Sequence, residues 1–445
     1  MGDCSNTVIS QYLNIPISRN VMKTEPFWTD QFPRPADLPV AEALPEAVDV
    51  AIVGSGYTGL NAARVLARSG ASVAVLERET IGWGASSRNG GMATPGLKQS
   101  LKTIWQKYGR EYAHKFWQAS LDAIDLIEQI AREEEIACDW QRPGHVALFY
   151  KESHASYYRQ YADWLREEFH HETTWVTKEE LRGEIGTAAY FGGLADDYSG
   201  SIQPAKYVFG LARAIAENYG VYLCERAEVT RIEKLPAVFL VHTGRGSVKA
   251  KDVLVATNGY TDALVPPLKR KLFPVGSYSI VTEPLPPAVQ REVSPKGRMF
   301  YDSKIFLNYF RLTPDGRMLW GGRNNLSTGL DLGDSAAQLR AGMLRVFPQL
   351  EPYAITHSWT GRLGITFDLM PHMGRVDGIH YAFGYGGHGL SIATYLGTEA
   401  GKLLAGQIES SPFMEIPEDI KFFYRGRAWF VPLAAQYYRI KDWVS

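Results

Sequence analysis

The sequence predicts an α/β fold in which a parallel βαβ unit is joined to a second, strand-rich region. Residues 48–53 form a short apolar run bounded by glycine, as expected for a strand buried in a parallel sheet. Residues 60–69 place apolar side chains at helical spacing, and Gly70 closes that helix. Residues 72–76 form a second apolar strand that ends at Glu77. Two parallel strands joined in this way predict a right-handed crossover.

The elements that follow alternate between long helical segments and strand-rich stretches. An apolar stripe on one face predicts a helix over residues 100–135, and proline in the first turn is typical of the helix predicted over residues 204–219. Alternating residues predict strands over residues 221–256, and residues 263–325 are also strand-rich. Further helices are predicted over residues 151–187 and 390–404.

The proline-rich N-terminal segment interrupts this regular pattern. Residues 1–45 contain six prolines, which exclude a regular helix or a central strand. We therefore predict an extended arm over these residues. Phe27, Trp28 and Phe32 are the side chains through which it would dock on the rest of the molecule.

Composition and charge exclude several classes of protein. The chain has 445 residues, 45% of them hydrophobic, enough for about three domains or two large interleaved ones. Its formal net charge is −1, without the basic excess that is typical of a nucleic-acid-binding protein. It contains no run of 18 apolar residues, as a transmembrane helix requires, and residues 1–20 lack the apolar and basic regions expected of a secretory signal. We expect a soluble, cytoplasmic protein with no nucleic-acid partner and no transmembrane segment.

The three cysteines, Cys4, Cys138 and Cys224, are widely spaced and lie in no Cys-x-x-Cys or Cys/His cluster. An odd and dispersed set of this kind is typical neither of a disulfide framework nor of a structural zinc site. No Ser/His/Asp order or metal-ligand spacing stands out elsewhere in the sequence. We therefore expect no bound metal and no hydrolytic chemistry.

A glycine fingerprint between the first strand and the first helix predicts a dinucleotide site. Gly54 permits a tight turn, Gly56 lets the backbone approach a pyrophosphate, and Gly59 lets helix and strand pack closely. The free N–H groups at the helix start favour an anion. Glu77, at the end of the second strand, would accept hydrogen bonds from ribose hydroxyls, which disfavours NADP. These features leave NAD and FAD as candidates.

A second small-residue loop favours FAD. Residues 81–91, which read IGWGASSRNGG, follow the second strand directly and suit a long, extended cofactor better than compact NAD. This loop resembles the GASGRNGG loop of the D-amino-acid oxidase superfamily of FAD-dependent amine and amino-acid oxidoreductases, and the chain is most similar to its gamma-glutamylputrescine oxidoreductase-like branch. Ser87 stands where glycine is usual. Further matches are residues 255–260 (VATNGY), 386–389 (GGHG) and 359–362 (WTGR), with Pro371 and Gly374, so the resemblance covers about residues 45–405.

The resemblance implies a Rossmann-like FAD-binding domain built from discontinuous segments, with an α+β, mostly antiparallel substrate domain. The expected boundaries are residues 46–140, 190–262 and 355–410 for the FAD domain, residues 141–189 and 263–354 for the substrate domain, and residues 411–445 for a C-terminal arm. The implied FAD-binding residues are Gly54, Ser55, Gly56, Tyr57, Thr58, Gly59, Glu77, Arg78, Ser86, Ser87, Arg88, Asn89, Gly90, Gly91, Val229, Thr257, Asn258, Gly259, Gly386, Gly387, His388, Gly389, Leu390 and Ser391. We expect non-covalent FAD, because no cysteine lies in a flavin-facing segment.

Four aromatic residues near these motifs are candidates for the walls of an amine site: Trp83, Tyr309, Trp320 and Tyr385. Aromatic walls hold a cationic amine, and an apolar pocket lowers its pKa so that the reactive neutral form appears. The catalytic candidates drawn from the strand region and the late glycine loop are Arg311, Tyr309, Trp320 and His388.

Arg311 lies where amino-acid oxidases of the superfamily carry an arginine that clamps a substrate carboxylate, and a guanidinium suits that group. The alternative is a surface arginine that caps a hairpin. His388 is a candidate for proton transfer, because imidazole titrates near neutral pH, or for packing against the flavin. Residues 361–364 depart from the Gly-Leu-Arg-Pro pattern of the amino-acid oxidases, which favours a primary, secondary or N-substituted amine over a simple D-amino acid.

The expected function is therefore hydride transfer from an amine α-carbon to FAD, hydrolysis of the resulting imine, and reoxidation of the flavin by O2 or another acceptor. Two alternatives stay open at this point. One is an NAD-dependent dehydrogenase, which the second glycine-rich loop disfavours. The other is a flavin-bound protein without turnover that acts as an interaction subunit, which the proline-rich arm favours.

Overall fold

The computed structural model describes residues 22–322 and 326–444, with side chains described as far as Tyr437. The first 21 residues of the predicted arm, with Cys4, lie outside the described residues. The strands are β1 (Ala47–Val53), β2 (Val73–Leu76), β3 (Met92–Ala93), β4 (His145–Leu148), β5 (Thr174–Val176), β6 (Gly193–Asp196), β7 (Gly200–Ser201), β8 (Tyr222–Cys224), β9 (Val229–Lys234), β10 (Phe239–Thr243), β11 (Gly246–Val255), β12 (Leu272–Thr282), β13 (Met299–Asp302), β14 (Asn308–Leu312), β15 (Met318–Gly322), β16 (Ile355–Thr366), β17 (His372–Val376) and β18 (Ile379–Phe383).

The helices match most of the predicted helical segments. They are α1 (Phe27–Gln31), α2 (Tyr57–Arg68), α3 (Leu101–Glu133), α4 (Glu152–Phe169), α5 (Pro204–Tyr219), α6 (Pro266–Lys269), α7 (Pro287–Val293), α8 (Leu332–Val346), α9 (Gly389–Leu404), α10 (Pro412–Glu415) and α11 (Val431–Val444). Single turns of 3₁₀ helix span Ala85–Ser87, Glu180–Gly183, Asn258–Tyr260 and Pro348–Leu350. The described part of the chain holds no helix that is both long and apolar enough to cross a membrane.

The first sheet contains the predicted βαβ unit. Its order is β17-β18-β11-β1-β2-β8, with β10 and β9 added beside β11. The strands β8, β2, β1, β11 and β18 run parallel to one another, and the parallel pairing of β1 with β2 confirms the predicted βαβ unit. The carboxyl ends of β1 and β11 therefore lie side by side, which brings the first glycine turn next to the segment after β11.

The second sheet has the order β16-β12-β15-β14-β13-β4-β6-β5. Every pairing in it is antiparallel except that of β13 with β4, so the mostly antiparallel architecture predicted from the resemblance is confirmed. Helix α8 packs beside β12, β15 and β16. Two strands of this second sheet, β6 and β16, lie in segments that the expected boundaries assign to the FAD domain.

Helices α2 and α9 pack closely over the first sheet. A Cβ on Gly397 would lie 2.4 Å from the Thr58 carbonyl oxygen, and one on Gly401 would lie 2.7 Å from the Val65 Cβ. These two glycines let the α9 backbone approach α2. The contact at Gly397 places the middle of α9 beside the start of α2.

Two predicted elements differ from the structure. The helix predicted over residues 151–187 ends at Phe169, because His170 adopts a left-handed conformation with φ of 52°, and strand β5 follows. This charged segment contains no glycine or proline near residue 169 that would have predicted the end of the helix. Helix α3 is interrupted at Gly109, whose φ of 86° and ψ of 173° are non-helical.

The described part of the N-terminal arm is docked on the molecule. Phe27 and Trp28 are buried in the core, and Phe32 packs against Phe209 with 6.3 Å between ring centroids, as predicted. The exclusion of regular helix is wrong for Phe27–Gln31, which form α1. This five-residue helix fits between Pro26 and Pro33, and proline is compatible with the position before a helix.

Candidate active site

One cavity of about 550 Å³ is lined by residues from both sheets. This volume lies in the range of small-molecule and cofactor sites. The predicted residues that line it are Gly54, Ser55, Gly56, Tyr57, Thr58, Glu77, Arg78, Trp83, Ser86, Arg88, Asn89, Gly90, Val229, Thr257, Asn258, Tyr309, Tyr385, Gly386, Gly387, His388, Gly389 and Leu390. The structure thus brings together segments that are more than 300 positions apart in the chain.

Several predicted residues support the cavity from behind. Gly59, Ser87, Gly91, Gly259 and Ser391 are not among the residues that line it. A Cβ on Gly59 would lie 2.0 Å from the Gly54 carbonyl oxygen, and a Cβ on Gly259 would lie 2.7 Å from the Arg362 carbonyl oxygen. These glycines shape the backbone around the cavity.

The first glycine turn is built as the fingerprint predicts. Gly54 has φ of +103°, a conformation that L side chains rarely adopt, and α2 begins at Tyr57 after Gly56. The Tyr57 amide donates to Ser86 Oγ at 3.0 Å, and the Tyr57 hydroxyl donates to the Ser86 carbonyl. The helix start and the second small-residue loop are therefore joined directly.

Glu77 is held in one orientation at the end of β2. Its Oε2 accepts from the Ser55 amide at 3.0 Å and from the Ser55 hydroxyl at 2.7 Å. Its Oε1 accepts from the Glu79 amide at 2.9 Å. The carboxylate lines the cavity, so its remaining lone pairs can accept hydrogen bonds from a ligand.

The loop after β2 carries a cation at the cavity wall. The Arg88 guanidinium lies over the Trp83 ring, 4.5 Å from its centroid, and Nε donates to the Trp83 carbonyl. Burial lowers the pKa of Arg88.

Asn89 connects the same loop to the N-terminal segment, because the Trp28 indole N–H donates to the Asn89 carbonyl at 2.7 Å.

The late glycine loop leads into α9 at the cavity. Gly386 and Gly387 both have positive φ, and His388 precedes the first turn of α9. The Tyr385 hydroxyl lies 2.6 Å from Thr58 Oγ1, which connects this loop to α2. The first glycine turn, the second small-residue loop and the late glycine loop are therefore in contact at this side of the cavity.

Tyr309 faces the cavity from β14, as predicted. Its ring covers Gly321, where a Cβ would lie 2.1 Å from the ring, and its hydroxyl lies 3.1 Å from Ser279 Oγ. A second hydroxyl, on Ser277, lies 3.3 Å away. Gly90 lies against the same ring. The phenol is therefore fixed between the sheet and the second small-residue loop.

The prediction that Trp320 lines the active site is wrong. Trp320 is fully buried in the core of the second sheet, stacked on Phe310 with 4.4 Å between centroids. In the β14–β15 register Phe310 pairs with Trp320 and Tyr309 pairs with Gly321. Since side chains alternate between faces, Trp320 shares the face of Phe310 and not that of Tyr309.

The assignment of Arg311 as a substrate clamp is also contradicted. Arg311 is buried outside the cavity lining, and its guanidinium donates to the Gly90 carbonyl at 2.9 Å and the Ile202 carbonyl at 2.6 Å. It also lies over the Trp28 ring at 5.2 Å. Burial lowers the pKa of Arg311 to about 10. The guanidinium thus binds backbone carbonyls behind the cavity. The alternative of a surface arginine is wrong as well, because Arg311 is buried.

Aromatic residues that sequence reasoning missed line a further wall of the cavity. Tyr157, Tyr158 and Tyr161 come from α4, Trp117 comes from α3, and Tyr301 comes from β13. Burial raises the pKa of the Tyr158, Tyr161 and Tyr301 phenols, which keeps them neutral. Three tyrosines within five positions of a predicted helix could have indicated this wall. The many charged residues of the same segment indicated a solvent-exposed helix instead.

Comparison with known proteins identifies the family. Residues 49–403 match the model of the family described as FAD dependent oxidoreductase. The chain belongs to this family. It is therefore an enzyme, an FAD-dependent oxidoreductase, and the resemblance noted in the sequence is confirmed.

Similar proteins share most of their length with this chain. It is 34% identical to gamma-glutamylputrescine oxidoreductase of Escherichia coli over 402 residues, which cover 88% of this chain and 92% of the relative. It is 33% identical to probable oxidoreductase OrdL of Haemophilus influenzae, over 89% of this chain and 92% of the relative. The structure of glycine oxidase from Geobacillus kaustophilus has the same fold, with a TM-score of 0.69 at 21% identity, over 86% of this chain and 99% of that one.

The geometry of the cavity fits the FAD that the family requires. The same cavity is lined by the Glu77 carboxylate at the end of β2, by the first glycine turn at the start of α2, and by the late glycine loop at the start of α9. The chemistry of these groups matches a ribose, a pyrophosphate and a flavin in turn. FAD is the cofactor of this enzyme, which removes NAD from the alternatives.

Proposed function

We propose that this enzyme oxidises the C–N bond of a primary, secondary or N-substituted amine. The observation that supports this most strongly is the aromatic wall of Tyr157, Tyr158, Tyr161, Trp117 and Tyr301, which lies in the same cavity as the cofactor segments. Aromatic faces attract an alkylammonium ion on entry. The name of the gamma-glutamylputrescine oxidoreductase relative points to the same class of substrate.

In this proposal the predicted cofactor residues that line the cavity hold FAD without a covalent bond. Glu77 accepts hydrogen bonds from the adenosine ribose, the start of α2 binds the pyrophosphate, and Gly386 to Leu390 lie at the flavin. Cys138 and Cys224 are buried and do not line the cavity. Burial raises the pKa of each thiol to about 11, which leaves neither as a nucleophile for attachment.

The side chains around the substrate prepare the amine for oxidation. Burial against neutral phenols and indole disfavours the ammonium form, so the amine releases a proton before reaction. His388 lines the cavity near the starts of α2 and α9 and is the proposed proton acceptor. FAD, when bound, supplies the acceptor for the hydride of the amine α-carbon. The imine that leaves is then hydrolysed, and O2 is the proposed electron acceptor.

The position of Arg311 favours an amine over an α-amino acid. An α-carboxylate needs a cationic partner, and the arginine predicted for that role donates to two backbone carbonyls instead. A substrate without an α-carboxylate needs no such clamp. We therefore expect the enzyme to oxidise amines in preference to simple D-amino acids.

Anaerobic mixing with a panel of amines and amino acids tests this function. We expect an amine to bleach the flavin absorbance and simple D-amino acids to leave it unchanged. Admission of O2 should restore the absorbance with formation of hydrogen peroxide, which a peroxidase assay measures. Bleaching by D-amino acids alone would contradict the substrate class, and an unchanged spectrum with every amine would contradict the proposed reaction.

Replacing Glu77 by glutamine should weaken FAD binding by about 10- to 100-fold, measured by quenching of FAD fluorescence in a titration of the apoprotein. Both carboxylate oxygens accept from backbone amides, so either orientation of the new amide aims an NH₂ group at a backbone N–H. The matched control is Glu217→Gln, because the Glu217 carboxylate accepts from the Arg213 guanidinium and neither residue lines the cavity. Equal affinity of both variants would exclude the proposed ribose contact.

A further inference from the structure

The C-terminal part of the chain carries an exposed basic aromatic segment, residues 420–437. Phe422 is 88% exposed, Trp429 60% and Leu433 63%, although most large apolar side chains of a folded protein are covered. These side chains are not scattered. The rings of Phe422 and Phe423 lie 5.6 Å apart, and those of Phe423 and Trp429 lie 6.3 Å apart. A contiguous exposed apolar patch of this kind marks an interaction surface.

Helix α11 continues the apolar surface. Val431 and Ala435 are buried, whereas Leu433 and Tyr437, four positions apart, are exposed on another face. The helix therefore uses one side for the core of the molecule and presents apolar groups on the other.

The charge of the basic aromatic segment differs from that of the whole chain. Residues 420–437 contain Lys421, Arg425 and Arg427 and no aspartate or glutamate, although the chain carries a net charge of −1. Lys421 pairs with Asp419, just before the segment, at 2.8 Å. Arg425 and Arg427 are both exposed. Cationic groups thus lie among the exposed aromatic rings.

We propose that the basic aromatic segment docks on the surface of an anionic lipid bilayer. Aromatic rings and leucine insert at the level of the headgroups, while arginine and lysine bind the negative surface. A second copy of this chain is a poorer partner, because a two-fold contact places the same patch on both sides and sets the cations against one another. The proposal does not depend on the substrate of the enzyme.

Co-sedimentation with vesicles tests this inference on the FAD-loaded full chain. We expect binding to vesicles of phosphatidylcholine with about one-third phosphatidylserine, little binding to phosphatidylcholine alone, and release by salt. The double variant Arg425→Gln/Arg427→Gln should lower the partition coefficient on anionic vesicles by roughly 30-fold, from about fivefold for each cation.

A second set of variants tests the apolar part of the contact. Phe422→Ser/Trp429→Ser/Leu433→Ser should lower the partition coefficient by roughly 100-fold or more. The matched control is Phe191→Ser/Tyr222→Ser, which removes exposed rings (41% and 44%) outside the segment and should bind vesicles as the parent does. An unchanged flavin spectrum and melting temperature show that each variant is folded.

Three outcomes would overturn the proposal. These are equal binding to neutral and anionic vesicles, binding by the triple variant at the level of the control, and no binding of the parent chain at all. Analytical ultracentrifugation of the same proteins tests the other possible partner, a second copy of this chain. A dimer that the triple variant abolishes, without vesicle binding by the parent, would assign the segment to contact between two copies instead.

Discussion

Replacing Gly59 with alanine is expected to give a chain that is strongly destabilised and purifies without FAD. In a helix alanine is normally favoured over glycine by about 1 kcal/mol. Here the added Cβ would lie 2.0 Å from the Gly54 carbonyl oxygen and 3.2 Å from the Ile52 side chain. Since the nearest atom belongs to the backbone of the glycine turn, it cannot rotate away. The cost should reach or exceed about 3 kcal/mol, the upper end for overpacking.

The loss of FAD follows from the same displacement. Relief of the clash moves the start of α2 away from the end of β1, and the amides proposed to bind the pyrophosphate move with it. The 450 nm absorbance of the purified protein and its thermal melting, with and without added FAD, measure both effects. Gly183→Ala is the matched control, because a Cβ there meets no atom within 4 Å and the backbone is not left-handed. A yellow Gly59→Ala protein of normal stability would refute the close helix–strand contact.

The parts of the fold that the sequence could predict depend on local patterns. Strand β1, helix α2 and strand β2 follow one another within 30 residues, and the glycine spacing fixes the turn between them. Helix α5 is marked by a proline at its start and a left-handed Gly220 at its end. Such signals need no knowledge of the tertiary structure, and the family resemblance added the distant segments of the same site.

The substrate side could not be predicted in the same way, because it depends on which face of a strand turns inward. Tyr309 and Trp320 were equally good aromatic candidates by sequence. The strand register alone decides between them, since it pairs Tyr309 with Gly321 and Trp320 with Phe310. The tyrosines of α4 line the cavity from a helix that connects β4 and β5, two strands of the second sheet, and no local pattern shows where that connection lies.

Replacing Arg311 with leucine is the second substitution with a large expected effect. The guanidinium joins residues that are 221 and 109 positions away in sequence, and no local pattern could have shown this. In Arg311→Leu two buried carbonyls, on Gly90 and Ile202, lose their donors. Each unpaired carbonyl costs about 1–3 kcal/mol, so we expect about 2–5 kcal/mol less stability in chemical denaturation. Removal of a desolvated cation offsets part of this cost, which places the result below the full sum.

The kinetics of Arg311→Leu distinguish a positioning residue from a substrate clamp. Because Gly90 lines the cavity and Arg311 does not, the variant should bind FAD more weakly, while the KM of the FAD-saturated enzyme for its amine stays near the parent value. Arg317→Leu, on the same hairpin, is the control: its guanidinium binds Asp315 and the Thr282 carbonyl, so stability should fall without a change in FAD affinity. A carboxylate clamp predicts the reverse pattern, with FAD retained and kcat/KM lowered selectively for substrates that carry an α-carboxylate. That result would return Arg311 to the substrate site and would require the hydrogen bonds to Gly90 and Ile202 to open when the substrate binds.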